Sequence, residues 1–148
     1  MELEEPLLDT WCIHSRIALY LLDGIAPDAL SGVSASKGRS VGGMFAHIHN
    51  VRVTWLELTP ELMKGLKKVD KEKAADKKVL RSSLAASGQA MEALLKQSIE
   101  QGKVKGFKPH PAAFLGYAIA HEAYHFGEIG MTLKQSGHPL DEKVAYGM

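Results

Sequence analysis

Four stretches of this chain place apolar residues at every third or fourth position, and no stretch alternates apolar with polar over the length of a strand. That period is helical, so the chain is confined to the all-α class. The first stretch runs from about Pro6, a residue suited to a first helical turn, to Asp23. The second starts at Ser40, a good N-cap, and reaches about Leu58 before Pro60. The third spans about Asp76 to Gln101, with Gly102 placed as its stop. The fourth runs from Pro111 to Ser136, ahead of Gly137 and Pro139. Between them lie an Ala-, Ser- and Gly-rich loop from Gly24 to Arg39, a lysine-rich linker from Lys64 to Lys78, and a short connector from Lys103 to Pro109. The expected architecture is a four-helix bundle with antiparallel helices and one long crossover loop, placed between helices one and two. All 148 residues are expected to form one domain.

The totals narrow the function classes. A net charge of +1 exerts no global pull on nucleic acid or membranes. No apolar run approaches the roughly 20 residues that a membrane span needs. The single cysteine, Cys12, rules out an internal disulfide and a cysteine-based zinc cluster. It fits a cytoplasmic setting, as does an acidic N-terminus lacking an apolar signal core.

Histidines carry the chemistry. In His121-Glu-Ala-Tyr-His125 the two imidazoles lie one helical turn apart and can reach one divalent metal. Phe114, Ala118 and Ile129 share their side of the helix, so the pair is expected to point inward. A buried pair hydrogen-bonded to backbone or water is the alternative. For a third ligand, the second helix offers His47 and His49, which lie about 200° apart and cannot both face inward. An apolar arc drawn through Met44, Ile48, Val51 and Trp55 puts His47 at its edge and His49 outside it. His47 is therefore the better ligand, and His49 is expected at the solvent or at a helix seam. Three imidazoles leave positions open for water or substrate, as catalytic sites do. Such a ligand set suits zinc, nickel, copper or iron and does not by itself identify the ion; zinc or nickel is the expected metal.

Here the chain resembles the DinB-like (YfiT-like) metalloprotein superfamily. The resemblance rests on Phe45-Ala-His47-Ile-His-Asn-Val-Arg-Val-Thr-Trp55-Leu, on His121-Glu-Ala-Tyr-His125-Phe-Gly-Glu128-Ile-Gly, and on the tail Ser136-Gly-His-Pro-Leu. It implies a four-helix bundle, often dimeric, holding a divalent metal on His47, His121 and His125. Members often carry His-His-Arg-Gly-Gln where this chain has Tyr124-His125-Phe126-Gly127-Glu128. Some relatives transfer low-molecular-weight thiols onto electrophiles, which implies a small-molecule substrate and a transferase role in detoxification. A non-catalytic metal- or ligand-binding bundle is the alternative class. A homodimer is expected, with helices one and two as the guessed surface.

The remaining motifs have plainer readings. His121-Glu122-x-x-His125 is also the zincin pattern, in which the glutamate is the general base. No sheet edge and no metzincin continuation support a hydrolase of that kind, and Glu122 points about 100° from His121, toward a helix seam. Glu128 lies two turns after His121 on the same face. It is the candidate residue to orient a ligand histidine or accept a proton from bound water; an ordinary exposed carboxylate is the competing reading. His14 could line the pocket or simply be packed with one hydrogen bond. His110 and His138 read as surface residues, and Cys12 as core. Lys64 to Arg81 holds eight basic and three acidic residues but no aromatics, so it reads as a solvated linker rather than a nucleic-acid patch.

Overall fold

The computed structural model describes residues 2–147. Among them there is no strand, and helices form where the periodicity predicts. Helix α1 spans Glu4–Asp23, α2 Val41–Leu56, α3 Lys77–Gln101 and α4 Pro111–Gln135. A short α5, Glu142–Ala145, forms in what reads as a polar tail. Single 3-10 turns occupy Pro27–Ser31, Pro60–Leu62 and Lys71–Lys73.

The ends follow local chemistry. Ser40 caps α2 by accepting a hydrogen bond from the Gly43 N–H, and Asp76 caps α3 through the Val79 N–H. His110 caps α4, its Nδ1 accepting from the Ala113 N–H, with Pro111 at the first helical position. Gly102 ends α3 in the left-handed region, φ 71°, where only glycine is free of Cβ strain. At α1 the helix starts two residues before Pro6, which still falls in the first turn.

The directions differ from the expected pattern at one place. Arg81 of α3 bonds Asp23 at the end of α1, so these two helices are antiparallel. Arg52 of α2 bonds Glu122, and Trp55 packs on Phe114, so α2 and α4 are antiparallel as well. However, Gly42 abuts Ala74, just before α3, while Arg52 reaches Leu84 and Ser87. Helices α2 and α3 therefore run the same way. The loop after α1 stays at one end of the molecule. The crossover is the segment 57–76, which returns the full length of α2 before α3 can begin. Adjacent side chains of α2 hold this strap in place. Asn50 donates to the Val69 carbonyl and accepts from its N–H, at 2.9 and 2.8 Å, and His49 Nε2 donates to the Lys67 carbonyl at 2.7 Å.

The core has two apolar clusters. Leu22, Leu30, Phe45, Ile48, Leu80 and Ile129 fill one end; Trp11, Leu56, Met91, Leu95 and Phe114 fill the other. Full burial of each large side chain contributes about 1.5–3 kcal/mol. Between the clusters runs a polar layer built from His14, Arg52, Ser87 and Glu122, all buried.

Candidate metal centre

At the level of that polar layer, on the α2–α4 edge, His47, His121 and His125 converge. One ligand atom from each lies within 4.8 Å of the other two. Ring centroids are 5.5 Å apart for His47 and His121, 4.7 Å for His47 and His125, and 4.8 Å for His121 and His125. His121 Nε2 and His125 Nε2 are 3.2 Å apart. His125 is buried, while His47 and His121 are partly exposed, so the cluster opens toward solvent on one side.

Protonation favours free lone pairs. Burial, then the positive charge of Arg39 and the neighbouring histidines, lowers His47 to a pKa of about 4. Burial and His125 also lower His121. On the outer side, His125 Nδ1 lies 2.7 Å from Glu128 Oε1. With Nδ1–H donating to that carboxylate, the Nε2 lone pair of His125 is directed at the other two rings. Glu128, the candidate read from helical spacing, thus sits in orienting position, half exposed.

Glu122, one residue from His121, serves a different end. It is 2% exposed and held by Arg52 through two bonds, Nε to Oε2 at 2.9 Å and Nη2 to Oε1 at 2.6 Å. His14 Nε2 adds a third contact at 3.0 Å. Arg52, 1% exposed, also donates to the Leu84 carbonyl and to Ser87 Oγ and lies over the Trp11 ring. Burial alone would raise the Glu122 pKa; the charge and hydrogen bonds of Arg52 outweigh it and keep it low. A carboxylate so occupied is not a general base, which removes the zincin reading. Glu122 lies inside the core rather than at a seam, because the buried arc of α4 is centred about 75° from His121, not at the histidines.

On α2, His49 is 1% exposed and takes the second of its two expected places, at the seam with the strap and α3, and Arg52 is a buried residue that the apolar arc alone does not reveal. Counting Val41, Phe45, Arg52 and Leu56 moves the centre of the buried arc to about 150° from His47, with His49 at about 200° and inside it. The signal for Arg52 was present: an arginine between valines, on the side of Phe45 and Leu56. His14 is packed and bonded to Glu122, away from the histidine cluster. His110 and His138 are exposed. Cys12 is half-buried, and desolvation together with Glu92 raises its pKa, so it is not an activated thiolate.

Apolar surroundings close one side of the site. Tyr117 stacks on His121 at 6.3 Å between centroids and leads to Trp55, Phe107 and Phe114. On the other side, a cavity of about 320 Å³ borders His47.

No helix is long and apolar enough to cross a membrane, among the described residues. The model of the DinB family matches residues 3–142, nearly the whole length, and the chain belongs to that family. No curated protein and no solved structure matches.

Proposed function

We propose that this member of the DinB family is a metal-dependent enzyme acting on a small molecule, with His47, His121 and His125 as ligands of one divalent cation and the four long helices arranged as the family's four-helix bundle. The observation that carries the reading is the donor set. Three imidazoles face one point from two helices, and His125 is braced from behind by Glu128. The donors fit zinc or nickel and leave coordination positions open. When bound, the metal supplies Lewis acidity and lowers the pKa of a water or thiol that joins it.

The chain's own residues do the rest. His125, with its Nδ1 proton held by Glu128, keeps a fixed tautomer and orientation. Glu128, half exposed behind His125, holds that orientation and leaves the open side of the cluster to ligand and solvent. Tyr117 and Trp55 exclude water from one flank and offer an apolar surface to an electrophile. The reading extends to transfer of a low-molecular-weight thiol: the sulfur loses its proton to solvent, forms a bond to the electrophilic carbon, and the carbon's leaving group departs with its electron pair.

A homodimer is part of the same proposal. Its best surface lies on α1 and α4, where Ile13, Ile17, Tyr20, Tyr124 and Met131 are exposed, rather than on α1 and α2. The test is elemental analysis of purified protein, followed by thiol consumption with an aromatic halide before and after chelation. Stoichiometric metal with chelator-sensitive turnover supports the enzyme. Stoichiometric metal with no turnover for any small thiol or ester would turn the reading to a non-catalytic binding protein, and no metal at all would end it.

A further inference from the structure

The cavity beside His47 is lined by Arg39, Ser40, Gly43, His47, Asn50 and Asp70, with Lys71 at its rim. Its volume, about 320 Å³, is at the lower end of the range for small-molecule sites. Three features give it a character. The Arg39 guanidinium makes no hydrogen bond or ion pair with another described residue, unlike Arg52 and Arg81, which are each held by a carboxylate. Asp70, the one carboxylate in the wall, is turned to cap the Lys71–Lys73 turn through the Lys73 N–H. Arg39 also stands near enough to the cluster for its charge to act on both His47 and His121.

We propose that this cavity binds the anionic end of the substrate, with Arg39 pairing a carboxylate while the molecule's other end reaches the three histidines. The inference rests on the metal reading above and adds the substrate class: a small carboxylate bearing a metal-seeking group. An arginine fork suits a carboxylate because two N–H groups match its two oxygens. An unpaired arginine beside a cavity is free to make that match, whereas Lys71 offers only a point charge. The strap forms the far wall, held there by Asn50, so the cavity exists before any ligand arrives. The stacked Tyr117 lies on the opposite side of His121 and would face the uncharged part of the molecule.

The experiment uses the full chain loaded with cobalt(II), whose visible absorption reports a sulfur ligand. A series of ω-mercaptocarboxylates is titrated against ω-mercaptoalcohols of matched length. At the length that spans the cavity, the acid is expected to bind about tenfold more tightly than the alcohol, the scale of one charge-assisted bond. Arg39→Ala should abolish that advantage and leave the alcohol's affinity unchanged; Arg39→Lys should keep part of it. Equal affinities in the wild type, or an advantage that survives Arg39→Ala, would overturn the proposal. If the wild type takes up no cobalt, the metal reading fails, and the Arg39 site is decided separately. Glutarate titrated into metal-free protein should then shift the Arg39 and Gly43 amide resonances in the wild type and not in Arg39→Ala. No shift would overturn the site as well.

Discussion

Residues 121 and 122 are neighbours in the chain, yet they belong to two sites of opposite design. Glu122 enters a closed network with Arg52 and His14, in which every charge has its partner and water is excluded. His121 joins His47 and His125 in an open cluster whose ring nitrogens face one another, with His121 Nε2 3.2 Å from His125 Nε2. Both sites draw on α2 and α4 at the same level. A rotation of about 100° around the helix separates a group that holds the fold from a group free to bind. A short motif read in one dimension merges the two, which is how His121-Glu122-x-x-His125 comes to mimic a protease.

The largest expected effect breaks the closed site. Glu122→Ala leaves Arg52 charged and buried, at a cost of about 3–5 kcal/mol. Calorimetry or urea titration should show that loss, and the double change Arg52→Met with Glu122→Leu should recover much of it. A single variant as stable as the wild type would mean that the network does not hold the core together.

The open site should respond in the reverse sense. His47→Ala, His121→Ala or His125→Ala should each abolish stoichiometric metal binding while moving the melting temperature of the metal-free protein by only a few degrees. His49→Ala should do the opposite: metal retained, stability reduced by about 1–3 kcal/mol through loss of the Lys67 contact. Elemental analysis of the variants beside their melting curves decides this pair of outcomes.

Glu128→Gln tests the brace. It should weaken metal affinity by about 10–100-fold without removing the site, as measured by competition with a chromogenic chelator. Unchanged affinity would leave Glu128 as a plain surface carboxylate.

The smallest effect is that of pH on the metal-free protein. His47 has a folded pKa of about 4 against an unfolded value of 6.5, so between those limits the unfolded chain binds more protons. Stability is thus fully present above pH 6.5 and is lost progressively as the pH falls toward 4. His121, lowered too, acts in the same direction. Metal binding should also weaken below about pH 6, since ligand imidazoles must be neutral. His47→Ala should flatten the melting temperature across this window; an unaltered slope would count against the depressed pKa.

Much of this architecture was legible in the sequence because its signals are local. Ser40, Asp76, Gly102 and Pro111 punctuate the helices through bonds within a few residues, and the i, i+4 spacing alone placed His121 beside His125. The convergence of His47 on that pair followed from spacing and resemblance together. What was not legible depends on contacts between distant segments. The strap's path is set by Asn50 meeting Val69 and by His49 meeting Lys67, and nothing in Lys64 to Lys78 announces either partner. The buried arc of α2 lies away from the arc expected from sequence because Val51 and Trp55 are only partly buried, while Phe45 and Leu56 on the other side are fully enclosed. Arg52 reads as a surface residue until a carboxylate from α4 is brought against it.

The strap has a consequence for how the molecule folds. Since α2 and α3 are parallel, they cannot zip together as a local hairpin; their pairing waits until segment 57–76 has doubled back and Gly42 has closed on Ala74. The absence of a side chain at Gly42 lets those backbones touch. Such a return raises the sequence separation of native contacts, and chains of that kind fold more slowly than helical proteins built from consecutive hairpins. The wall of the cavity beside His47 is made from this same segment. Helical content should therefore recover early in refolding, and the ability to hold a ligand should recover late, as one cooperative step when the strap locks down.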